Sequence, residues 1–169
     1  AAVDRWRADA GALRFHLGRG AKDGPPVVVV LGGTGTGKST IVNRLLGSDV
    51  TAASFRRTFT AGPVGIVGTA DALPEKWLGV EHVLLGADKL PARGEAGSLV
   101  VAMSPSALTQ NLTLVDTPDL DGDQPAHHTQ ADRAFRWAEA VVFLVTGSGK
   151  ADIVPLLARW KPSCAPGIS

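Results

Sequence analysis

The stretch Gly32-Gly33-Thr34-Gly35-Thr36-Gly37-Lys38-Ser39-Thr40 constrains this chain more than any other, because it satisfies G-x-x-x-x-G-K-[ST] in full from Gly32 through Ser39. The pattern describes a loop whose consecutive backbone N–H groups converge on a phosphate. That convergence needs backbone conformations and a closeness of approach that side chains obstruct. Glycines at 32, 33, 35 and 37 supply the freedom. A helix beginning near Lys38 would turn its first N–H groups and the positive end of its dipole toward the same anion. In such a loop Gly33, Thr34, Gly35, Thr36, Gly37, Lys38, Ser39 and Thr40 are the candidate phosphate-binding residues, with Lys38 reaching the β- and γ-phosphates and the Ser39 hydroxyl ligating Mg²⁺.

A glycine-rich string alone could be a surface turn, so its flanks decide. Val27-Val28-Val29-Val30-Leu31 is a β-branched run between Gly24-Pro25-Pro26 and glycine, the pattern of a strand buried on both faces. Ile41, Val42, Leu45 and Leu46 recur at helical spacing and Gly47 is a C-terminal stop. Strand, loop and helix thus arrive in the order that phosphate binding requires.

The remaining segments read as an α/β domain. Asp4 to Leu17 predicts a helix on the outside of the domain; its apolar residues Trp6, Leu13, Phe15 and Leu17 are irregularly spaced, so a helix shared with a bundle is the alternative. Ser48 to Thr60 is a polar loop leading into an extended segment at Pro63 to Val67. Ala70 to Leu78 reads as a short helix and Val83 to Leu85 as a short strand. Ser98 to Met103 and Leu112 to Val115 are apolar strands whose separation predicts a hairpin-like pairing. After polar residues 120–128, Ala131, Ala134, Phe135 and Ala138 give the stripe of a helix over Thr129 to Glu139, followed by a buried strand at Ala140 to Val145 and a helix over Asp152 to Trp160.

Phosphate chemistry of this kind needs a second group that holds Mg²⁺, expected at the C-terminal end of a buried strand. Asp116 ends the strand Leu112 to Val115 and is the candidate, meeting the metal through a water; a turn-forming Asp-Thr-Pro is the bland alternative.

Charge and cysteine content narrow the partners. Lys plus Arg number 17 against 16 Asp plus Glu, so the chain carries no nucleic-acid signature. Cys164 is the lone cysteine and there is no signal-peptide pattern or spanning apolar run, which fits a reducing, cytoplasmic setting. The chain lacks an initiator methionine and stops in a Pro- and Gly-bearing tail, which suggests a piece of a longer polypeptide. A peripheral membrane role through segments outside it stays open.

With these residues in hand, the chain resembles a P-loop GTPase of the translation-factor-like class, nearest to the bacterial dynamin-like and Era-like groups. Lys38 through Gly47, KSTIVNRLLG, is similar to their GKSTLxNxLLG string, and Asp116-Thr117-Pro118-Asp119 sits where they carry D-T-P-G. The resemblance spans about residues 26 to 160. It implies an α/β, three-layer P-loop NTPase fold with a mostly parallel sheet and an antiparallel strand, ending before the base-specificity strand. Residues 1–25 are then an N-terminal helix and linker, and 26–169 a C-terminally incomplete nucleotide-binding domain. It further implies binding of GTP and GDP with Mg²⁺ and slow hydrolysis of GTP. Arg56 to Val64 resembles the family's first switch, which selects Thr60, with Thr58 as runner-up, as the threonine closing over Mg²⁺ and the γ-phosphate. Lys38 and Thr60 are the implied catalytic residues, and Ser39, Thr60 and Asp116 the implied metal ligands. The switch regions would engage an effector protein or a second copy in a homodimer; a membrane or a ribosome is a further partner of the class, unsupported by these residues.

Three departures from the family pattern keep other readings in play. Asp119 replaces a glycine, Leu120 stands where a water-orienting glutamine occurs in Ras-like proteins, and the N/T-K-x-D guanine-reading motif is not visible, Lys150-Ala151-Asp152 being a loop coincidence. An ATP-dependent enzyme is therefore the alternative, without the L-S-G-G-Q string of a transporter. A module that binds nucleotide without turnover is the third. His127-His128 reads as a solvated loop pair, and Trp77, Trp137 and Trp160 as packing anchors.

Overall fold

The computed structural model describes residues 2–19, 24–33, 35–47, 63–74, 77–86, 98–118, 120 and 125–145. Along the chain these form α1 Ala2–Gly18, β1 Val27–Gly32, α2 Lys38–Leu46, β2 Val64–Val67, a 3-10 turn at Trp77–Gly79, β3 Glu81–Gly86, β4 Ser98–Met103, β5 Thr113–Asp116, α3 Pro125–Arg136 and β6 Ala140–Leu144. The six strands make one sheet in the order β3-β4-β2-β5-β1-β6. Its pairings are parallel except at β2 against β5, so β3, β4 and β2 run together and opposite to β5, β1 and β6.

Alternation along the strands builds two apolar layers. In β1, Val27, Val29 and Leu31 face one side with Leu99, Val115 and Trp77, while Val30 faces the other with Ile66 and Leu114. The first layer is covered by α3, through Ala131 and Ala134, and by Phe15 of α1. The second is covered by α2, whose Val42 and Leu46 are buried four residues apart on one helix face. Helices on both faces of a mostly parallel sheet are the expected three-layer α/β arrangement.

The N-terminal helix is tied to the same body. Phe15 stacks on Trp137 with ring centroids 5.3 Å apart, and Gly11 lets the Trp137 ring approach to 3.2 Å of where a Cβ would sit. Arg19 meets Glu139 at 3.1 Å. The Glu139 carboxylate accepts the Val27 N–H at 2.8 Å and the Glu139 N–H donates to Val27 O at 2.9 Å. One acidic residue thus joins the end of α1 to the start of β1.

Four expectations are corrected. β4 and β5 do not form a hairpin: β2 lies between them, parallel to β4 and antiparallel to β5. The connection Ser104 to Leu112 is longer than a tight hairpin loop. It folds back instead over the end of β2, Ser104 N–H donating to Val67 O at 2.9 Å and the Thr109 hydroxyl to Ser104 O at 2.8 Å. Residues 70–74 form turns and bends and Trp77–Gly79 a 3-10 turn, in place of the expected helix; Leu78 there has φ 63. The helix expected from Thr129 begins at Pro125, where proline suits a first turn, so His127 and His128 lie in α3 rather than a loop. β6 is a strand but not a buried one: Val141 and Val142 are exposed, because among the described residues it pairs on one side only, with β1. The helix expected over Asp152 to Trp160, together with Trp160, Lys150 and Cys164, lies outside the described residues.

The fold-back over β2 yields a direct test. A Cβ added to Gly68 would sit 2.6 Å from Thr109 O and 2.9 Å from its carbonyl carbon, both backbone atoms that cannot rotate away. Gly68→Ala is expected to lower stability by about 1–3 kcal/mol in urea titration, the cost of overpacking. An unchanged midpoint would mean that this connection does not pack against β2.

Candidate functional site

The glycine-rich loop that starts at Gly32 emerges from the C-terminal end of β1, the sheet edge at which ligands bind in open α/β folds. Gly35 and Gly37 adopt φ 72 and φ 85, the left-handed region that other residues enter at a cost. Gly32 is constrained by space instead: a Cβ there would meet Leu144 O and Thr36 Oγ1, each at 2.7 Å. Gly32 belongs to the motif without being one of its candidate binding residues. Its role here is to let the start of the loop pass close to the end of β6.

Helix α2 then starts at Lys38. Its N-cap, Gly37, has no side chain to cap the helix, and the first intrahelical bond runs from Ile41 N–H to Gly37 O at 2.9 Å. The amides of Lys38, Ser39 and Thr40 precede that bond and stand at the positive end of the helix, the arrangement that receives anions. Gly47 closes the helix in the left-handed conformation, donating to Asn43 O.

Lys38 is buried, and its ammonium donates to Gly32 O at 2.8 Å and Gly33 O at 3.0 Å. Thr36 Oγ1 donates to Gly33 O at 2.9 Å. The side chain of Lys38 thus turns back onto the carbonyls at the start of its own loop. Charge-assisted bonds of this kind are stronger than neutral ones and fix the loop's shape.

Asp116 stands beside this loop. The strand register pairs Val30 of β1 and Val64 of β2 with Asp116, placing it at the C-terminal end of β5 between the two. Its carboxylate is 1% exposed and accepts the Thr117 N–H at 3.0 Å. Thr117, which is not among the candidate site residues, donates its hydroxyl to Val30 O at 2.9 Å and so fastens the segment after Asp116 to β1. A buried threonine directly after a strand-ending aspartate is the signal that could have singled it out.

Leu120 does not stand at the site with its side chain. It is buried in the layer under α3, while its N–H donates to Gly32 O at 3.3 Å, sharing that oxygen with the Lys38 ammonium. This position braces the loop through its backbone. Of the other candidates, Thr34, Thr58, Thr60 and Asp119 lie outside the described residues; the backbone of Ser39 is described as part of α2 and its side chain is not. Among the described residues there is no group of three or more His, Cys, Asp or Glu that could hold a metal by themselves.

The donor set fits a nucleotide with its cation all the same. A phosphate group brings oxygen ligands of its own, so a single buried carboxylate such as Asp116 beside a helix N-terminus is compatible with Mg²⁺ in such sites. The glycine cradle supplies the room.

No protein-family model matches this sequence, and no curated protein matches it. Among solved structures, the chain is similar to a bacterial dynamin from an oligomerised pair, described as providing a mechanism for the long-range sensing and tethering of membranes. The identity is 22%, the TM-score 0.45 and the coverage 78% of this chain. The chain spans 23% of that protein's length. Neither the activity nor the partners of that protein transfer at this level of similarity. Among the described residues, no helix is long and apolar enough to cross a membrane.

Proposed function

We propose that this domain binds guanine nucleotide with Mg²⁺ and hydrolyses GTP to GDP slowly, acting as a switch. The observation that carries the reading is the buried Lys38 ammonium on the carbonyls of Gly32 and Gly33, at the strand end beside Asp116. In this reading the amides of residues 33–40 hold the α- and β-phosphates, and Lys38 offsets the charge that builds on the γ-phosphate. Ser39, Thr60 and Asp116 would hold Mg²⁺, which supplies charge neutralisation between the β- and γ-phosphates when bound. Thr60 and the segment around Asp119 are the parts that would differ between the two nucleotide states and present the difference to an effector or a second copy. Because the Leu120 side chain is in the core, it orients no water, which fits a slow intrinsic rate.

An ATP-binding domain is the second reading, because glycine-rich loops ending in Gly-Lys-Ser-Thr also serve adenine nucleotides. Titration of GTP, GDP and ATP with and without Mg²⁺, together with phosphate release, separates the two. Saturation by ATP alone would sink the guanine assignment, and tight binding with no phosphate release would leave a module without turnover.

Asp116→Asn supplies the finer test. The change should weaken Mg²⁺-dependent retention of the triphosphate by about 10–100-fold, the usual loss for a group that acts on a metal through a water, and disturb the diphosphate far less. Thr60→Ala should do the same. If Thr58→Ala is the damaging change and Thr60→Ala is silent, the register across 56–64 is wrong by two residues.

A further inference from the structure

Helix α1 carries apolar residues on two opposite faces. Ala12 is buried, Gly11 lies under the Trp137 ring and Phe15 packs into the core, which defines the inward face. On the far side Val3, Trp6, Leu13 and Leu17 are exposed by 61%, 71%, 59% and 77%. With Ala10 they follow the spacing three, four, three, four, and at about 3.6 residues per turn they fall within an arc of about 80°. This is the narrow a/d stripe of a coiled-coil seam rather than the wider face of an ordinary surface helix. The apolar spacing of α1 is irregular only when Phe15, which faces the core, is grouped with the outward Trp6, Leu13 and Leu17.

Charge along the seam is one-sided. Arg7 and Arg14, a heptad apart, are exposed along one border. The opposite border is used by the domain itself: Asp9 is ion-paired with Arg136, and His16 Nε2 donates to Arg136 O at 2.8 Å. We propose that the outward seam of α1 is a docking surface for an amphipathic helix whose own apolar heptad stripe is bordered by Asp and Glu.

Complementarity favours that occupant over the others. A second copy packed antiparallel would set Arg7 and Arg14 against their own counterparts, since like borders meet in that arrangement. Packed in parallel, it would offer Arg14 an Asp9 that already serves Arg136. A membrane-lying helix buries a broad apolar face about 5–10 Å into the headgroup region; here the back of the helix is occupied by the domain and the free stripe is narrow. An acidic-bordered helix buries the stripe and answers both arginines.

The test uses the 169-residue chain and a synthetic peptide of about three heptads with Leu at the seam positions and Glu at the flanking ones. A second peptide has Lys in place of Glu. Fluorescence anisotropy of labelled peptide should show saturable binding of the Glu peptide, at least about tenfold tighter than the Lys peptide, a margin set by charge complementarity at close pairs. Arg7→Glu with Arg14→Glu should reverse the preference, and Leu13→Asp with Leu17→Asp should abolish binding while circular dichroism stays unchanged. Equal affinity for the two peptides, a preference that charge reversal does not invert, or no binding overturns the proposal. So does dimerisation of the chain, or its association with phosphatidylserine vesicles, that is lost in the Leu13→Asp, Leu17→Asp variant, because the seam then belongs to a second copy or to a membrane. Nucleotide binding plays no part in this readout, so failure here leaves the site unaffected.

Discussion

Lys38→Ala is expected to abolish the rise in thermal stability that GTP and Mg²⁺ confer. A ligand that binds only the folded state stabilises it by about 4 kcal/mol at a thousandfold excess over its dissociation constant. For a domain of this size that corresponds to a shift of about 8–16 °C. The variant should lose nearly all of it, because the ammonium proposed to meet the β- and γ-phosphates is gone and the loop has also lost its bonds to Gly32 O and Gly33 O. Those bonds make a second, smaller effect measurable without nucleotide. Removing them should lower intrinsic stability by about 1–3 kcal/mol, the range for buried carbonyls that lose a charged donor. The two effects separate in one experiment, scanning calorimetry with and without GTP and Mg²⁺ on parent and variant. A variant that keeps the full nucleotide shift would refute the phosphate-loop assignment whatever its intrinsic stability.

The local conformation of the glycine loop was more legible than the strand pairing around it, and the difference has a physical cause. A phosphate loop is written in consecutive residues: Gly35 and Gly37 are glycines because of their own φ, and Lys38 folds onto carbonyls five and six residues before it. Strand positions were also readable, since Val27 to Leu31 and Ser98 to Met103 are apolar runs that no other element accommodates. Pairing was not. That β2 separates β4 from β5 depends on bonds between residues far apart in sequence, and the apolar pattern of a strand is the same whichever neighbour it takes. Proximity in the chain suggested a hairpin and the long connection over Gly68 defeats it.

Positions outside the motif follow the same division. Leu120 reads as a departure from a family pattern, yet its side chain answers to the apolar layer under α3 while only its backbone serves the loop. Glu139 carries no motif, and its importance lies in joining Arg19 and Val27, which are distant in sequence. The helix α3 starts earlier than its apolar stripe because Pro125 sets the first turn, and a stripe marks only the part of a helix that faces the core.

Trp77→Ala is expected to be the most damaging single change to the fold while leaving the site's own contribution intact. Trp77 is fully buried and is the largest such side chain among the described residues, packed with Val29, Leu31, Ala131 and Ala134 in the layer under α3. Its indole N–H donates to Trp137 O at 3.1 Å. The next residue, Leu78, is held at φ 63 with its carbonyl accepting from Arg133, whose guanidinium burial pulls below its ordinary pKa. Truncation opens a cavity between the sheet, α1 and α3 that rigid strands cannot close, at a cost of about 3–5 kcal/mol. Against a total stability of about 5–15 kcal/mol, that leaves a marginal domain. Trp77→Phe keeps a ring and loses the N–H, so it should cost about 1–2 kcal/mol and keep the variant measurable. Helix α2 packs on the other face of the sheet, and effects at separated sites add. Urea titrations with and without GTP and Mg²⁺ should therefore show the same nucleotide increment in Trp77→Phe as in the parent, on a lower baseline. A baseline unmoved in Trp77→Ala would mean the turn at 77–79 is not part of the core; a lost increment in Trp77→Phe would mean that the two faces of the sheet are coupled.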